Sequence, residues 1–258
     1  MSSRTPTLLI FMTAAGHYGC RTIYRATLDH LDRQLPLVQW SARVAHIKAR
    51  PGEEPVMEIM KDDLQRRGFI VETAVGDWVR GQSHYAAYLR DQIRMSQHPA
   101  VYDNPLVYWT DDDYLAVTHQ GSFERVLARM CQLVESDPNV LTARFLREED
   151  VDALNPDRTV AIEPELNLAW SKHLNFQPLV VRSRDFHRAC KIIEDNWTTA
   201  VQMHGEALWR EVLAPFSRSE RKHAVWLPTY SQVVNLGVLH YLDVAKRLNL
   251  TISPNPVA

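Results

Sequence analysis

Three consecutive aspartates, Asp111-Asp112-Asp113, follow directly on the apolar run Leu106 to Thr110 (LVYWT). Adjacent carboxylates repel one another, and the cost rises as they leave water. A divalent cation removes that cost. Mg²⁺ and Mn²⁺ take carboxylate and phosphate oxygens, typically one or two protein carboxylates with the remaining positions given to substrate and water. In an extended chain, residues i and i+2 point to the same side, so Asp111 and Asp113 can reach one ligand together. The competing reading is an acidic turn that caps the next segment, and the short pattern D-x-D does not by itself separate the two.

What positions these carboxylates is a chain of alternating elements. Thr7 to Ala14 (TLLIFMTA) is a continuous apolar run, the pattern of a strand buried on both faces. A helical pattern follows over Thr22 to Leu35 and stops at Pro36. Ala42 to Ala49 (ARVAHIKA) reads as a second strand, Val56 to Arg67 as an amphipathic helix with Gly68 at its C-terminal cap, and Phe69 to Val75 as a third strand. A helix over Ser83 to Ser96 precedes the fourth strand, Leu106 to Thr110. A helix over Phe123 to Glu135 and a fifth strand, Val140 to Phe145, complete the series. This alternation requires an α/β fold, with a mostly parallel central sheet and helices on both faces. Ligands bind such sheets at the carboxyl ends of strands, where the aspartates stand.

The rhythm changes after residue 145. Arg147 to Pro164 is polar, acidic and proline-containing, and reads as a loop or edge excursion. Leu174 to Arg182 reads as a short strand, Ser183 to Trp197 and Glu206 to Leu213 as helices, Trp226 to Leu236 as a turn-rich aromatic segment, and Val238 to Leu248 as a last helix. The chain divides on this reading into residues 1–145, an α/β region, and residues 146–258, a second region of the same domain.

In the order of its elements the sequence resembles the glycosyltransferase-A fold. The features that carry the resemblance are LLIFMTA, HYAAYLRDQIRMS, LVYWTDDDY, HGEALW and NLGVLHYLD. The resemblance implies a metal-dependent glycosyltransferase that moves a sugar from a nucleotide-sugar donor, UDP- or GDP-linked, to a hydroxyl acceptor with inversion. It implies that Asp111 and Asp112 contact the donor, and that Asp111 and Asp113 hold Mn²⁺ or Mg²⁺ with His240 as a further ligand. His223 competes with His240 for that role. Thr13, Ala14 and Ala15 would form the nucleotide-contacting turn after the first strand, where small side chains admit a ligand close to the backbone. Asp77 would bind base or ribose, or is a turn aspartate. Arg90 would face the donor phosphates, or belongs to a solvated face.

Glu206 opens a helix, where the dipole favours a carboxylate, and the resemblance makes it the general base. The family usually has Glu-Asp at this point. Here the pair is Glu206-Ala207, which leaves Asp195 and Glu211 as substitutes.

Composition narrows the alternatives. A formal net charge of −2 excludes the strongly basic footprint of a general nucleic-acid binder. Transfer to a modified base of phage DNA remains open through the local basic stretch Arg182, Arg184, Arg188 and Lys191. A nucleotidyltransferase that makes nucleotide-sugars also uses acidic metal ligands on an α/β sheet, but generally opens with a glycine-rich loop carrying a basic residue, whereas only Arg21 stands behind the first loop here. Cys20, Cys131 and Cys190 are odd in number and widely spaced, without a C-x-x-C pair, and read as reduced thiols. No apolar run approaches the roughly 20 residues of a membrane span, so the expected location is cytoplasmic.

Overall fold

The structure is a computed structural model. It describes residues 5–14, 28–33, 35–76, 82–112, 114–118, 123–145, 160–163, 168–171, 178–203, 208, 212, 222–226 and 231–235. The first half alternates as the sequence predicts. Strand β1 (Thr7–Thr13) is followed by helical residues 28–33 (α1), β2 (Ala42–Ala49), α2 (Glu54–Arg66), β3 (Ile70–Val75) and α3 (Gln82–Ser96). A short helix α4 (Pro99–Tyr102), β4 (Leu106–Asp111), β5 (Tyr114–Thr118), α5 (Phe123–Ser136) and β6 (Val140–Phe145) come next. The second half supplies β7 (Val160–Glu163), β8 (Leu168–Ser171), β9 (Leu179–Arg182), α6 (Ser183–Asp195), α7 (Trp197–Ala200), β10 (Lys222–Trp226) and β11 (Ser231–Asn235).

Among the described residues the main sheet has nine strands in the order β3-β2-β1-β4-β9-β6-β10-β8-β7. Strands β3, β2, β1 and β4 are mutually parallel. Strand β9 runs antiparallel between β4 and β6, and β10 continues parallel to β6. Side chains alternate across a strand, and β1 feeds two cores by that rule. Leu8, Ile10 and Met12 join α1, α2 and α5 on one face. Leu9 and Phe11 join α3, α4 and α6 on the other.

Helix α2 illustrates how locally the sequence dictates this frame. Met57, Met60 and Leu64 recur at helical spacing and are buried. The helix stops in a Schellman turn. The Gly68 N–H donates to Gln65 O at 2.9 Å and the Phe69 N–H to Leu64 O at 3.0 Å, with Gly68 at φ +80°, a left-handed conformation that glycine adopts at little cost.

The second half adds to this sheet. The segment read as a short strand over Leu174 to Arg182 supplies β9, which lies at the centre of the sheet; LVVR is an apolar run whose pattern carries no direction. Within the segment read as a loop or edge excursion, residues 160–163 form β7, an edge strand of the sheet. The segment read as turn-rich contains β11, which pairs antiparallel with β5 in a separate two-stranded ribbon. The alternation of strand and helix also missed β5, which starts three residues after Asp111. The predicted helix over 238–248 lies outside the described residues. Among the described residues no helix is long and apolar enough to cross a membrane.

Cys131 and Cys190 are buried free thiols. Desolvation pushes both thiols up to about 12, with Glu135 adding to the rise at Cys131, and with the Ser96 side chain opposing it and Glu194 adding to it at Cys190. Iodoacetamide at pH 8 will therefore leave both unlabelled in the native protein and label both in urea, as read by peptide mass spectrometry; native labelling of either would refute the burial. A raised folded-state pKa means that the associated stability is complete below the ordinary thiol range. It is lost as pH climbs from about 9 through the folded value, so unfolding will become easier in alkali.

Candidate functional site

The carboxyl ends of β1, β2 and β4 lie side by side. Asp111, the last residue of β4, is opposite Phe11 of β1. Phe11 is opposite His46 of β2, and Thr13 is opposite Lys48. Paired positions share a face, so Asp111, Phe11, Thr13, His46 and Lys48 all look toward α3.

The aspartates are held in place by the backbone and by α3. The Asp112 N–H donates to Phe11 O at 2.9 Å, and the Thr13 N–H donates back to Asp112 Oδ2 at 3.0 Å. The Tyr88 hydroxyl of α3 donates to Asp111 Oδ1 at 2.7 Å. The Tyr88 ring packs edge-on against Phe11, with centroids 5.5 Å apart. A carboxylate offers about four lone-pair directions, so accepting one such bond does not exhaust the capacity of either aspartate for a cation. Two hard oxygen donors at a strand end suit Mn²⁺ or Mg²⁺. Among the described residues no set of three or more His, Cys, Asp or Glu side chains forms a complete metal cage.

Lys48 is 5% exposed, and its Nζ lies 5.4 Å from the centre of the Tyr88 ring. Desolvation lowers its pKa, while the charges of Asp91, Asp111 and Asp112 oppose that shift. Beside it, His46 Nε2 is 3.0 Å from Asp91 Oδ1, and Arg94 Nη2 donates to His46 Nδ1 at 3.1 Å. A guanidinium only donates, so Nδ1 is the acceptor, while Nε2 stands within ion-pair distance of Asp91 and outside hydrogen-bond geometry. Arg94 lies 4.0 Å from Glu72, and His98 Nε2 is 3.6 Å from the same carboxylate. A line of polar groups therefore crosses the α3 face from the aspartates to β3.

The residues named from sequence fall as follows. Asp111, Asp112 and Thr13 come together within hydrogen-bond reach, directly or through Phe11. Ala14 is buried and its N–H donates to Lys48 O at 2.8 Å. Arg90 is exposed on α3 with its guanidinium carbon 5.0 Å over the Trp197 ring. Ala15, Asp77, Asp113, Glu206 and His240 lie outside the described residues. Sequence reasoning missed Lys48, Tyr88 and Asp91. The available signal was a lysine and a histidine at i and i+2 inside an apolar strand, where charge is costly without a partner.

Two of the four basic residues weighed for DNA contact are engaged within the protein. Arg182 Nε donates to Asp185 Oδ2 at 2.9 Å, and its Nη groups donate to the carbonyls of Val134, Pro138 and Val140. Lys191 pairs with Glu194 and Asp195.

No protein-family model and no curated protein matches this sequence. Solved structures do. A putative glucose-1-phosphate thymidylyltransferase from Bacillus anthracis, in complex with a sucrose, is 11% identical with a TM-score of 0.54, covering 97% of each chain. A mannose-1-phosphate geranyltransferase from Thermus thermophilus is 13% identical with a TM-score of 0.50, covering 98% of this chain and 80% of that one. A glycosyltransferase involved in glycosylation of the major capsid of PBCV-1 is 13% identical with a TM-score of 0.45, covering 95% of this chain and 100% of the other. The chain is an α/β protein with a glycosyltransferase-A-like fold.

Proposed function

We propose that the protein is a metal-dependent glycosyltransferase that takes its sugar from a nucleotide-sugar donor and passes it to a hydroxyl acceptor with inversion. The observation that carries this reading is the pair of carboxylates, Asp112 held by the Thr13 N–H and Asp111 by the Tyr88 hydroxyl, where three parallel strands end. In this reading residues 1–145 hold the donor and residues 146–258 supply the acceptor side. Asp111 and Asp113 hold Mn²⁺ or Mg²⁺ with His240, and the ion when bound neutralises charge on the departing nucleoside diphosphate. Asp111 and Asp112 orient the donor, with Thr13, Ala14 and Ala15 lining the nucleotide and Asp77 and Arg90 reaching its base side and phosphates. Glu206 takes the acceptor proton, a role worth roughly 10²–10⁴-fold in rate. Transfer then takes place in the cytoplasm.

Calorimetric titration with UDP, GDP and CDP, with and without Mn²⁺, tests the donor side. One nucleotide will bind, and only when Mn²⁺ is present. Binding of none, or binding indifferent to metal, sinks the reading.

A second reading is synthesis of a nucleotide-sugar. It is supported by the full-length likeness in fold to a thymidylyltransferase, but a likeness at 11% identity extends to fold alone. Release of pyrophosphate from a nucleoside triphosphate and a sugar 1-phosphate would favour it over transfer from a preformed donor.

A further inference from the structure

We infer that Lys48 is the built-in counter-ion of the acidic run: it positions Asp111 and Asp112 for a divalent cation and sets how tightly that cation is held. The inference rests on the metal-dependent reading above. Lys48 comes from β2, one strand beyond β1 and two beyond the aspartates, so nothing in local sequence ties it to them. The ladder does so. Lys48 is opposite Thr13, whose N–H holds Asp112. Its ammonium lies over the ring of Tyr88, whose hydroxyl holds Asp111. Both aspartates are thus reached from Lys48 through one intervening residue each.

The formal charges explain why a lysine belongs there. Asp91, Asp111 and Asp112 all act on Lys48, giving three negative charges against one positive. The neighbouring cation, Arg94, lies beside Glu72, and His46 already faces Asp91. Lys48 offsets one of these three charges, and Asp113, next in the sequence, adds one more to the negative excess that a divalent ion would meet. Without Lys48 that excess would be one charge greater, held in a poorly solvated place where repulsion between carboxylates is strong. Lys48 therefore lets the strand ends close together before any metal arrives. The same positive charge then opposes the arriving metal, so the site holds its ion loosely enough to exchange with each nucleotide.

This gives an outcome that a space-filling role would not. Mn²⁺ alone is titrated into the full chain by calorimetry, and thermal unfolding is followed in EDTA and in Mn²⁺. Lys48→Met will bind Mn²⁺ about tenfold more tightly than wild type. Its Tm will fall by about 5 °C in EDTA and recover in Mn²⁺. Lys48→Arg, which keeps the charge, will match wild type in Mn²⁺ affinity within about twofold. Lys48→Met with Asp112→Asn will regain stability in EDTA, even if Lys48→Met alone is recovered only as aggregate.

Unchanged or weaker Mn²⁺ binding by Lys48→Met, with equal loss of Tm in both buffers, overturns the inference while leaving the metal site standing. Absence of Mn²⁺ binding by every variant overturns the metal-dependent reading and the affinity-setting role with it. Failure of Asp112→Asn to rescue Lys48→Met in EDTA overturns the counter-ion role itself.

Discussion

Asp111→Asn will weaken Mn²⁺-dependent binding of the nucleoside diphosphate at least about a hundredfold, while the protein stays folded. The magnitude follows from position. Loss of a group that merely orients a metal ligand typically costs roughly 10- to 100-fold in affinity, and Asp111 is proposed as a ligand. The expected survival of the fold follows from what the asparagine keeps. Its side-chain carbonyl can still accept from the Tyr88 hydroxyl, which lies 2.7 Å from Asp111 Oδ1, and its backbone still pairs with Phe11 of β1. Volume and hydrogen bond are retained and only charge is lost. Removing one of two adjacent carboxylates also relieves repulsion, so Tm in EDTA will stay level or rise. An Asp111→Asn protein that binds nucleotide within about threefold of wild type would remove Asp111 from the metal site.

Arg182→Ala will cost about 3 kcal/mol of folding stability in urea titrations without touching the aspartates. Arg182 ends β9, where the first and second halves of the chain meet. Its guanidinium joins Asp185 at the start of α6, the Val134 carbonyl near the end of α5, Pro138 in the following turn and Val140 at the start of β6. Hydrogen bonds to a charged group are worth about 1.5–3 kcal/mol each. The Arg182 and Asp185 side chains remain 22% and 12% exposed, so water takes over part of the loss and the four contributions do not sum. Asp185→Asn keeps the three carbonyl contacts and will cost roughly 1 kcal/mol. A loss below about 1 kcal/mol for Arg182→Ala would mean that β9 is fixed by its ladder and apolar faces alone.

The sequence made the frame of the site legible and hid its electrostatics. Strand β2 spans the residues read from ARVAHIKA, and β1 and β4 match theirs to within one residue, because a strand buried on both faces is a bare apolar run. Gly68 announced the end of α2, since a left-handed residue is needed there. Asp111 and Asp112 were legible because carboxylates directly after an apolar strand are costly without a purpose. Lys48, Tyr88 and Asp91 were not. They meet the aspartates only through the β1–β2 register and the facing side of α3, and neither is visible along a single stretch of chain. The direction of β9 was hidden for a related reason: LVVR buries the same residues whichever way it runs. The ribbon strands YLAVT and SQVVN are too short and too mixed in polarity to announce themselves.

That ribbon sets an order of events during synthesis. Tyr114 is paired with Asn235 and Thr118 with Ser231, so the strand beside the aspartates waits for a partner more than a hundred residues downstream. At about 5–20 residues per second, the ribosome releases β1 through β4, with Asp111 and Asp112 already at their strand ends, several seconds before β11 exists. The aspartate-bearing end of the sheet is thus in place first, and the chain that pairs with β5 arrives last. A nascent chain stalled in between carries the acidic pair on a sheet whose central antiparallel strand, β9, is itself still to come. The two halves of the chain mature together, and neither can be completed by its own stretch of message.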